Sequence, residues 1–252
     1  MIQEDELLRK RYEELASKAY NNNQYTFTGF LSEADQAVFL SMERKLSFVH
    51  YEMDGGYEES TRKVLRFGNP EELGFLDQYP ICCISIEPII MKFGEELSHR
   101  DYLGAIMNLG IERSTLGDIK IDGKKAYIMC LFPMVDYILE HLDKVRHTYV
   151  KCARKDSFPG VLCDKREEVH IQVASFRLDG ILAKVYNMSR NQSLILFSKK
   201  EVYVNGRVVE NNSYQLKAGD VVSARGYGKF IFREELGKTK KDKFYLLIEK
   251  YI

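Results

Sequence analysis

The sequence predicts an α+β protein in three parts: a helical and hairpin N-terminal unit over residues 1–75, a ferredoxin-like βαββαβ domain over 76–175 and a small basic domain over 176–252. Three observations predict it. Apolar residues make up 45% of the 252 positions, enough for packed cores, and no apolar run reaches the roughly 20 residues that span a membrane. Helical and alternating apolar spacings follow one another along the chain. Charge separates the parts.

The formal net charge of zero hides this separation. Residues 1–75 carry 9 basic and 14 acidic side chains, residues 76–175 carry 13 and 15, and residues 176–252 carry 15 and 8. A basic domain on a neutral chain predicts a polyanion partner for that domain alone.

The N-terminal unit begins with a charged amphipathic helix over 3–19, which is not a signal peptide. The Asn-rich stretch 20–29 predicts a loop, and Ser32 is placed to cap a second helix. Two alternating runs around Gly55 and Gly56 predict a hairpin. The acidic balance suits a protein partner or solvent better than RNA.

The middle domain shows the split βαβ order, although that order alone does not give a function. The predicted elements are a strand over 79–90, a helix over 98–109, strands over 116–121 and 125–132 joined at Asp122-Gly123, a helix from Pro133 to Leu142, a strand over 147–153 and one more over 167–175.

The letters HRD at 99–101 invite a catalytic interpretation, because H-R-D opens the catalytic loop of protein kinases. That loop needs an Asn five residues after the Asp, where this chain has Ile106. Ser98 and Asp101 have the spacing of a capping box instead. His99 and Arg100 are then exposed on the first turn of a helix, a position that favours phosphate.

The last third predicts two short helices, 176–187 and 189–200, with Ser189 as the N-cap of the second. A hairpin follows at Asn205-Gly206, and strands follow over 216–226, 228–236 and 243–252.

Metalloprotease, hydrolase, P-loop and dinucleotide-binding motifs are absent, the five histidines are scattered, and the sequence predicts no metal and no cofactor. Five cysteines (82, 83, 130, 152 and 163) without a CxxC pair predict buried free thiols in a reducing cytosol.

Binding chemistry is better supported, since Arg and Lys neutralise phosphates and aromatic rings stack on unpaired bases. The alternative is that these charges are an ordinary solvated face. The candidate RNA-binding residues are Arg177, Lys184, Arg190, Lys199, Lys200, Arg225, Tyr227 and Lys229 in the last third, with His99 and Arg100 in the middle domain.

The last third resembles an S4 RNA-binding domain. The matching letters are Arg177-Leu178-Asp179, Ser189-Arg190, Val202 to Gly206, Gly219-Asp220 and Arg225-Gly226. Lys200 stands where Gly is common in the family and Ser193 where Ala is usual. Asp179 is expected to orient Arg177 or cap a turn rather than contact RNA.

The segment LSHRDYLGAIMNLGIERSTLGDI, with GGYEESTRKV upstream, resembles the signature of YlmH-type S4 proteins. The combined resemblance covers about residues 25 to 235. It implies an RNA-binding protein of the cytosol that associates with the large ribosomal subunit and tRNA, in rescue or quality control of stalled translation.

The sequence therefore predicts a monomeric, non-enzymatic binder of structured rRNA, with tRNA as a second RNA partner and no membrane partner. Two alternatives stay open. One is an RNA-modifying enzyme that uses the S4 domain to hold its substrate, with a site around His99 and Asp101. The other is a protein-interaction adaptor whose basic domain is incidental.

Overall fold

The computed structural model describes residues 2–156, 166–239 and 242–251. The chain divides into two compact units, Met1–Cys163 and Asp164–Ile252. Among the described helices, none has the length and apolar character needed to cross a membrane.

The first unit opens with the predicted helix, which packs on a three-stranded sheet made of the predicted hairpin and one strand that the sequence analysis did not predict. Tyr12, Phe39 and Phe67 are fully buried there, with the rings of Tyr12 and Phe39 edge-on at 5.5 Å. The sheet order is β1-β3-β2, with antiparallel neighbours. The elements are α1 (Ile2–Asn22), β1 (Thr26–Leu31), α2 (Glu33–Leu40), β2 (Tyr51–Asp54), β3 (Lys63–Phe67) and α3 (Pro70–Leu73).

The predicted loop over 20–29 is shorter in the structure. Helix α1 continues to Asn22 and β1 starts at Thr26. Strand β1 pairs with β3, more than thirty residues away. The backbone N–H and C=O groups of β1 therefore find their hydrogen-bond partners in a distant strand, which the local sequence does not predict.

The predicted hairpin is confirmed as the β2–β3 pair, but Gly55 and Gly56 do not close it tightly. Asp54 pairs with Val64, so a longer segment connects the strands. That segment folds onto Asp118 of the middle domain, which is buried. The Asp118 carboxylate accepts hydrogen bonds from the Tyr57 hydroxyl at 2.8 Å, the Thr61 hydroxyl and N–H at 2.6 Å each, and the Arg62 N–H at 3.2 Å.

The hydrogen bonds to Asp118 therefore join the GGYEESTRKV and RSTLGDI segments of the sequence signature, and we call this hydrogen-bond network the Asp118 lock. Arg62 completes it by donating from Nε to the Leu116 carbonyl at 2.9 Å and from a terminal nitrogen to the Phe30 carbonyl at 2.7 Å. This lock explains why residues 1–75 do not separate from the middle domain as a unit of their own.

The middle domain has the predicted ferredoxin-like topology. Its sheet order is β5-β6-β4-β8-β7, so β6 lies between the two strands that α4 connects, as a split βαβ requires. All neighbours are antiparallel. The elements are β4 (Ile81–Pro88), α4 (His99–Met107), β5 (Leu116–Asp122), β6 (Lys125–Leu131), α5 (Val135–His141), β7 (Lys144–Val145) and β8 (Thr148–Lys155).

The two helices bury one face of this sheet. Tyr102 and Ile106 of α4 and Ile138 of α5 are fully buried against Ile84 and Ile128 of the strands. The core thereby fixes where the N-terminal turn of α4 and the C-terminal turn of α5 lie.

The strand that the sequence analysis placed last in the middle domain belongs to the second unit. It pairs with the C-terminal strand from Arg166↔Tyr251 to Val173↔Phe244, and this pairing moves the domain boundary from 175/176 to 163/164. The sheet order is β11-β10-β12-β13-β14-β9. The elements are β9 (Arg166–Val173), α6 (Leu178–Val185), α7 (Arg190–Ser198), β10 (Val202–Val204), β11 (Arg207–Val208), β12 (Val221–Ala224), β13 (Gly228–Lys238) and β14 (Phe244–Tyr251).

Four of the five cysteines are described, and all four are free thiols, as predicted. Burial raises the pKa of Cys83, Cys130 and Cys152 to about 12, which keeps these thiols protonated and unreactive. Cys163 lies outside the described residues.

Candidate nucleic-acid interface

The candidate surface is the outer side of the helix pair α6 and α7. Ile181, Leu182, Leu196 and Phe197 hold both helices against the sheet. Ser189 caps α7 as predicted: its hydroxyl accepts the Gln192 N–H at 3.2 Å, and the Gln192 side chain accepts the Ser189 N–H at 2.8 Å.

Ser193, at the position where the S4 pattern has Ala, is completely buried between the helices. Its hydroxyl donates to the Asp179 carbonyl oxygen at 2.9 Å. The hydroxyl thus fastens α7 to the first turn of α6 without loss of packing.

Asp179 orients the arginines of this surface. Its carboxylate is almost fully buried and accepts two hydrogen bonds from Arg177, at 3.2 Å from Nε and 3.1 Å from a terminal nitrogen. Arg190 Nε lies 3.6 Å from the same carboxylate, with its side chain 65% exposed. The expectation that Asp179 positions Arg177 is confirmed.

The charge of Asp179 is maintained by these contacts. Burial raises its pKa, but the hydrogen bonds from Arg177 and from the Gly180 N–H, together with the nearby Arg190, outweigh burial and leave the pKa of Asp179 lowered. The buried carboxylate thus fixes the guanidinium of Arg177 at the start of α6 by two hydrogen bonds and attracts that of Arg190 at the start of α7.

Lys199, Lys200 and Arg225 come together at the other end of α7. Lys199 ends the helix, and the Arg225 N–H donates to the Glu201 carbonyl at 2.9 Å. Lys200 has a positive φ of 58°, a conformation that glycine adopts readily, which agrees with the Gly of the S4 pattern at this position. Its ammonium lies 2.9 Å from Glu210, with both side chains exposed.

The Gly-rich bend places only some of its predicted residues on this surface. Tyr227 is 43% exposed, with its ring 5.7 Å from that of Tyr186 at the end of α6, whereas Phe230 is core. The Lys229 ammonium lies 5.2 Å from the Tyr251 ring, on the sheet face opposite the helices. Lys184 is exposed on the last turn of α6.

Asn205 and Gly206, which match the S4 pattern, shape a turn of the backbone. Asn205 and Gly206 both have positive φ in the β10–β11 turn. The Asn205 amide donates to Asp220 at 2.8 Å and accepts the Val221 N–H at 2.9 Å. These bonds set the hairpin beside the next strand.

In the middle domain, Asp101 caps α4 as predicted. Its carboxylate accepts the Ser98 N–H at 2.8 Å and the Ser98 hydroxyl at 2.7 Å. These hydrogen bonds, together with the charge of Arg146, lower the pKa of Asp101. A carboxylate with a lowered pKa is a poor general base, so the geometry does not support the catalytic interpretation of HRD.

His99 and Arg100 are both exposed, but they differ in chemistry. Partial desolvation, followed by the charge of Arg113, lowers the pKa of His99, so this ring is neutral at pH 7 and adds no positive charge. The half-buried Arg113 donates from its guanidinium to the Leu116 carbonyl at 2.5 Å, so part of its hydrogen-bonding capacity is used within the chain. Arg100 lines a groove beside α4.

Among the described residues, no three His, Cys, Asp or Glu side chains are grouped so as to hold a metal ion. Sequence reasoning missed Tyr186 and Arg146 as members of these surfaces. Tyr186 was not predicted because it ends an apolar helical pattern that is typical of core residues. Arg146 was not predicted because it lies in a turn between two strands.

Comparison with known families gives two matches. Residues 77–158 match the model described as "Putative RNA-binding domain in YlmH", and residues 176–222 match the S4 domain. The chain therefore carries a domain that matches the YlmH RNA-binding model and, after it, an S4 domain. The prediction of an α+β chain with a C-terminal S4 domain is confirmed.

Relatives share these domains to different extents. Over 234 residues the chain is 29% identical to the ribosome-associated protein quality control protein P2 of Bacillus subtilis, covering 88% of this chain and 86% of that protein. It is 45% identical over 60 residues to the small ribosomal subunit protein uS4 of Laribacter hongkongensis, of which it covers 29%. The solved cell division protein ylmH of Streptococcus pneumoniae superposes with a TM-score of 0.49 and 20% identity, covering 60% of this chain and 91% of that chain.

Proposed function

We propose that this YlmH-type protein binds structured ribosomal RNA through the outer side of α6 and α7. We further propose that it acts on the large ribosomal subunit in rescue or quality control of stalled translation, with tRNA as a second RNA partner. The name of the Bacillus subtilis relative supports the setting, and the match to the YlmH and S4 models supports RNA as the partner.

The observation that carries the proposal is the buried carboxylate of Asp179 between Arg177 and Arg190. Exposed arginines on flexible stems lose side-chain entropy when they bind phosphate. Here part of that ordering is already present in the free protein, because the carboxylate fixes Arg177 and attracts Arg190. Preorganised guanidiniums can contact two phosphate oxygens at once.

A rigid helical face with cations at both ends of α7 suits structured RNA. Double-stranded RNA is recognised mainly by its shape and backbone, because its deep major groove does not admit side chains. Helix α7 has nine residues, so Arg190 and Lys199 are separated by roughly 13 Å along the axis at about 1.5 Å per residue. At about 3.6 residues per turn, nine residues also rotate the side chain by half a turn, so the two cations lie on opposite flanks of α7 and contact separate phosphates.

A binding role without catalysis is the simpler proposal for this chain. The best sequence candidate for a catalytic group, Asp101, is engaged in capping α4 and in an ion pair with Arg146 at 3.5 Å. The relatives from Bacillus subtilis and Laribacter hongkongensis are named as a ribosome-associated protein and a ribosomal protein.

The test is co-sedimentation of the full chain with separated ribosomal subunits at several salt concentrations. We expect the wild type to travel with the large subunit and Arg190→Ala/Lys199→Ala to lose most of this binding, with the salt slope falling by about 2 for two lost phosphate contacts. Arg177 is left intact because its removal would strand the buried Asp179.

The matched control is Arg11→Ala/Lys45→Ala, which removes two cations that are 61% and 65% exposed in the acidic N-terminal part. This variant should bind like the wild type. Equal binding by both double variants would place the anchor outside the helix pair, and binding of the wild type to the small subunit alone would refute the large-subunit assignment.

A further inference from the structure

A groove in the middle domain lies between α4 and the segment that joins α5 to β8. Its volume is about 510 Å³, within the usual range of small-ligand sites. It is separate from the S4 helices in sequence and belongs to the other compact unit. The polar and charged lining residues are Arg100, Asp101, Asn108, His141, Asp143, Lys144 and Arg146.

Three of these residues are exposed cations. Arg100 comes from the first turn of α4, and Lys144 and Arg146 come from the β7–β8 hairpin. Two carboxylates, Asp101 and Asp143, also line the groove, and Asp101 is already engaged by Ser98 and Arg146. The three cations therefore outnumber the two carboxylates by one, and Arg146 is the cation that is paired with Asp101, at 3.5 Å.

Arg146 occupies an unusual backbone position. Strand residues Val145 and Thr148 pair directly, so Arg146 and His147 form a two-residue turn, and Arg146 has a φ of +53°. Such turns favour Gly, Asn or Asp at positive φ, because a longer side chain is strained there. The Arg146 side chain is 59% exposed at this turn, so its guanidinium is accessible to a ligand at the edge of the groove.

An aromatic pair and an amide lie next to these cations. The rings of His141 and Tyr137 are stacked at 4.2 Å and 23°, and both side chains are exposed. His141 Nδ1 lies 3.0 Å from the Tyr137 carbonyl, which can only accept, so Nδ1 donates in this hydrogen bond and Nε2 is left to contact a ligand. Asn108, exposed at the end of α4, supplies both a donor and an acceptor.

The floor of the groove is open above Gly104. A Cβ built on this helical glycine would meet no atom within 4 Å, so the helix surface is accessible to a flat group at this point. A glycine in the middle of α4 lowers the helix propensity of this segment. Tyr102 and Ile106, on the other side of the helix, are fully buried in the core.

We propose that this groove holds a nucleotide of an unpaired RNA segment, with phosphate on Arg100 and Arg146 and the base against His141 and Asn108. The inference deepens the proposed RNA-binding function and rests on it. Cations beside an exposed aromatic ring are the means by which proteins bind single strands, because every base offers a stacking face. A duplex keeps its bases stacked and cannot deliver one to the groove.

The test uses fluorescence anisotropy of a labelled eight-nucleotide RNA of mixed sequence with the full chain. All variants are made in the Arg190→Ala/Lys199→Ala background, which weakens the helix-pair surface. We expect Arg146→Ala to weaken binding and to lower the salt slope by about 0.7, the contribution of one phosphate on a single strand. Arg11→Ala is the matched control, since its side chain is 61% exposed and is also in one ion pair, with Glu14 at 3.6 Å.

The decisive variant is Gly104→Gln, which fills the open floor without removing a charge. Glutamine is a better helix former than glycine, so thermal unfolding should occur at the same or a higher temperature while RNA affinity falls about tenfold. Unchanged RNA affinity in Gly104→Gln and in Arg146→Ala would overturn the proposal. An unlabelled blunt duplex of the same sequence should compete poorly, and equal competition would overturn the preference for unpaired RNA.

These outcomes are separable from those of the ribosome experiment. Both proposals are supported if Arg190→Ala/Lys199→Ala alone loses ribosome binding and if the groove variants Arg146→Ala and Gly104→Gln alone lose oligonucleotide binding. Oligonucleotide binding that depends on the groove without any ribosome association would leave the groove assignment standing and refute the ribosomal function.

Discussion

The Asp179 carboxylate provides the sharpest test of how the helix pair is held. Asp179→Asn keeps the shape of the side chain and removes its charge. The wild-type carboxylate accepts two hydrogen bonds from Arg177 and one from the Gly180 N–H at 2.8 Å. Hydrogen bonds to charged groups contribute about 1.5–3 kcal/mol each before screening, and Arg177 is 38% exposed, so water weakens its share.

The amide retains one acceptor and brings a donor toward Arg177, so part of the interaction survives. We expect Asp179→Asn to lower the free energy of unfolding of the C-terminal unit by about 2 kcal/mol. The pKa of Asp179 is lowered in the folded chain, so its contribution is complete above the unfolded value of about 3.9 and is lost as the pH falls through the folded value. The variant and the wild type should therefore differ fully at pH 7 and converge in acid.

The chain has two compact units, so a global unfolding curve mixes their transitions. Hydrogen exchange of the amides in α6, at pH 7 and below pH 4, isolates the effect. Asp242→Asn is the control, because that carboxylate is 84% exposed in the same unit and should leave α6 exchange unchanged. Wild-type protection in Asp179→Asn at pH 7, or a difference that stays the same in acid, would refute the reasoning.

Three further substitutions test other parts of the structure. Asp118→Asn should destabilise the first unit by about 3 kcal/mol, because an amide cannot accept from all four donors, and limited proteolysis should then cut between β2 and β3; resistance equal to wild type would contradict the lock. Asp101→Ala should lower the stability of the first unit by about 1 kcal/mol in thermal unfolding, because α4 loses its cap. Single-stranded RNA should bind about twofold more tightly, because Arg146 loses its carboxylate partner, and weaker RNA binding would contradict the groove geometry. Ser193→Ala should change stability by less than about 1 kcal/mol in urea unfolding and leave ribosome binding intact, because no buried donor is left unpaired; a larger loss would show that the hydroxyl is needed to hold the helices.

Local signals in the sequence were sufficient for the helix starts. Ser32, Ser98 and Ser189 each begin a helix, as their spacing to Asp, Asp and Gln three residues later predicts. The capping bonds lie within four residues, so the letters alone carry the information. The β10–β11 turn at Asn205-Gly206 was predictable for the same reason.

Pairings between distant segments were not predictable in this way. Strand β9 alternates like a strand of the middle domain, yet it joins β14 more than seventy residues later. The segment after Gly55 looks like a tight turn, but its length is set by Asp118 some sixty residues away. In both cases the group that hydrogen-bonds to the backbone of the segment is distant in sequence, so the local sequence pattern does not predict the pairing.

The candidate site shows the same division. Composition identified the basic residues of the helix pair, and the S4 resemblance suggested a positioning role for Asp179. Neither showed that Lys229 lies over Tyr251 on the other face of the sheet, or that Arg146 joins Arg100 across a groove. Charge patterns report that cations are present, whereas the fold decides which of them share a surface.

Backbone strain links the two proposed surfaces and leads to a final prediction. Among the described residues, six non-glycine positions have positive φ, and four of these are Asn or Asp, which tolerate it. The other two are Arg146 in the groove and Lys200 on the S4 surface. Glycine at either position should relieve roughly 1 kcal/mol of strain, less the entropy that glycine adds to the unfolded chain.

If these cations are kept for RNA, each Gly variant should unfold at an equal or higher temperature and bind its RNA less tightly. Arg146→Gly should weaken the single-stranded oligonucleotide alone, and Lys200→Gly should weaken ribosome association alone. Such a loss of function with unchanged or improved stability is typical of residues retained for binding rather than for folding. A stability gain with full RNA affinity in both variants would show that the strain has no connection with RNA binding.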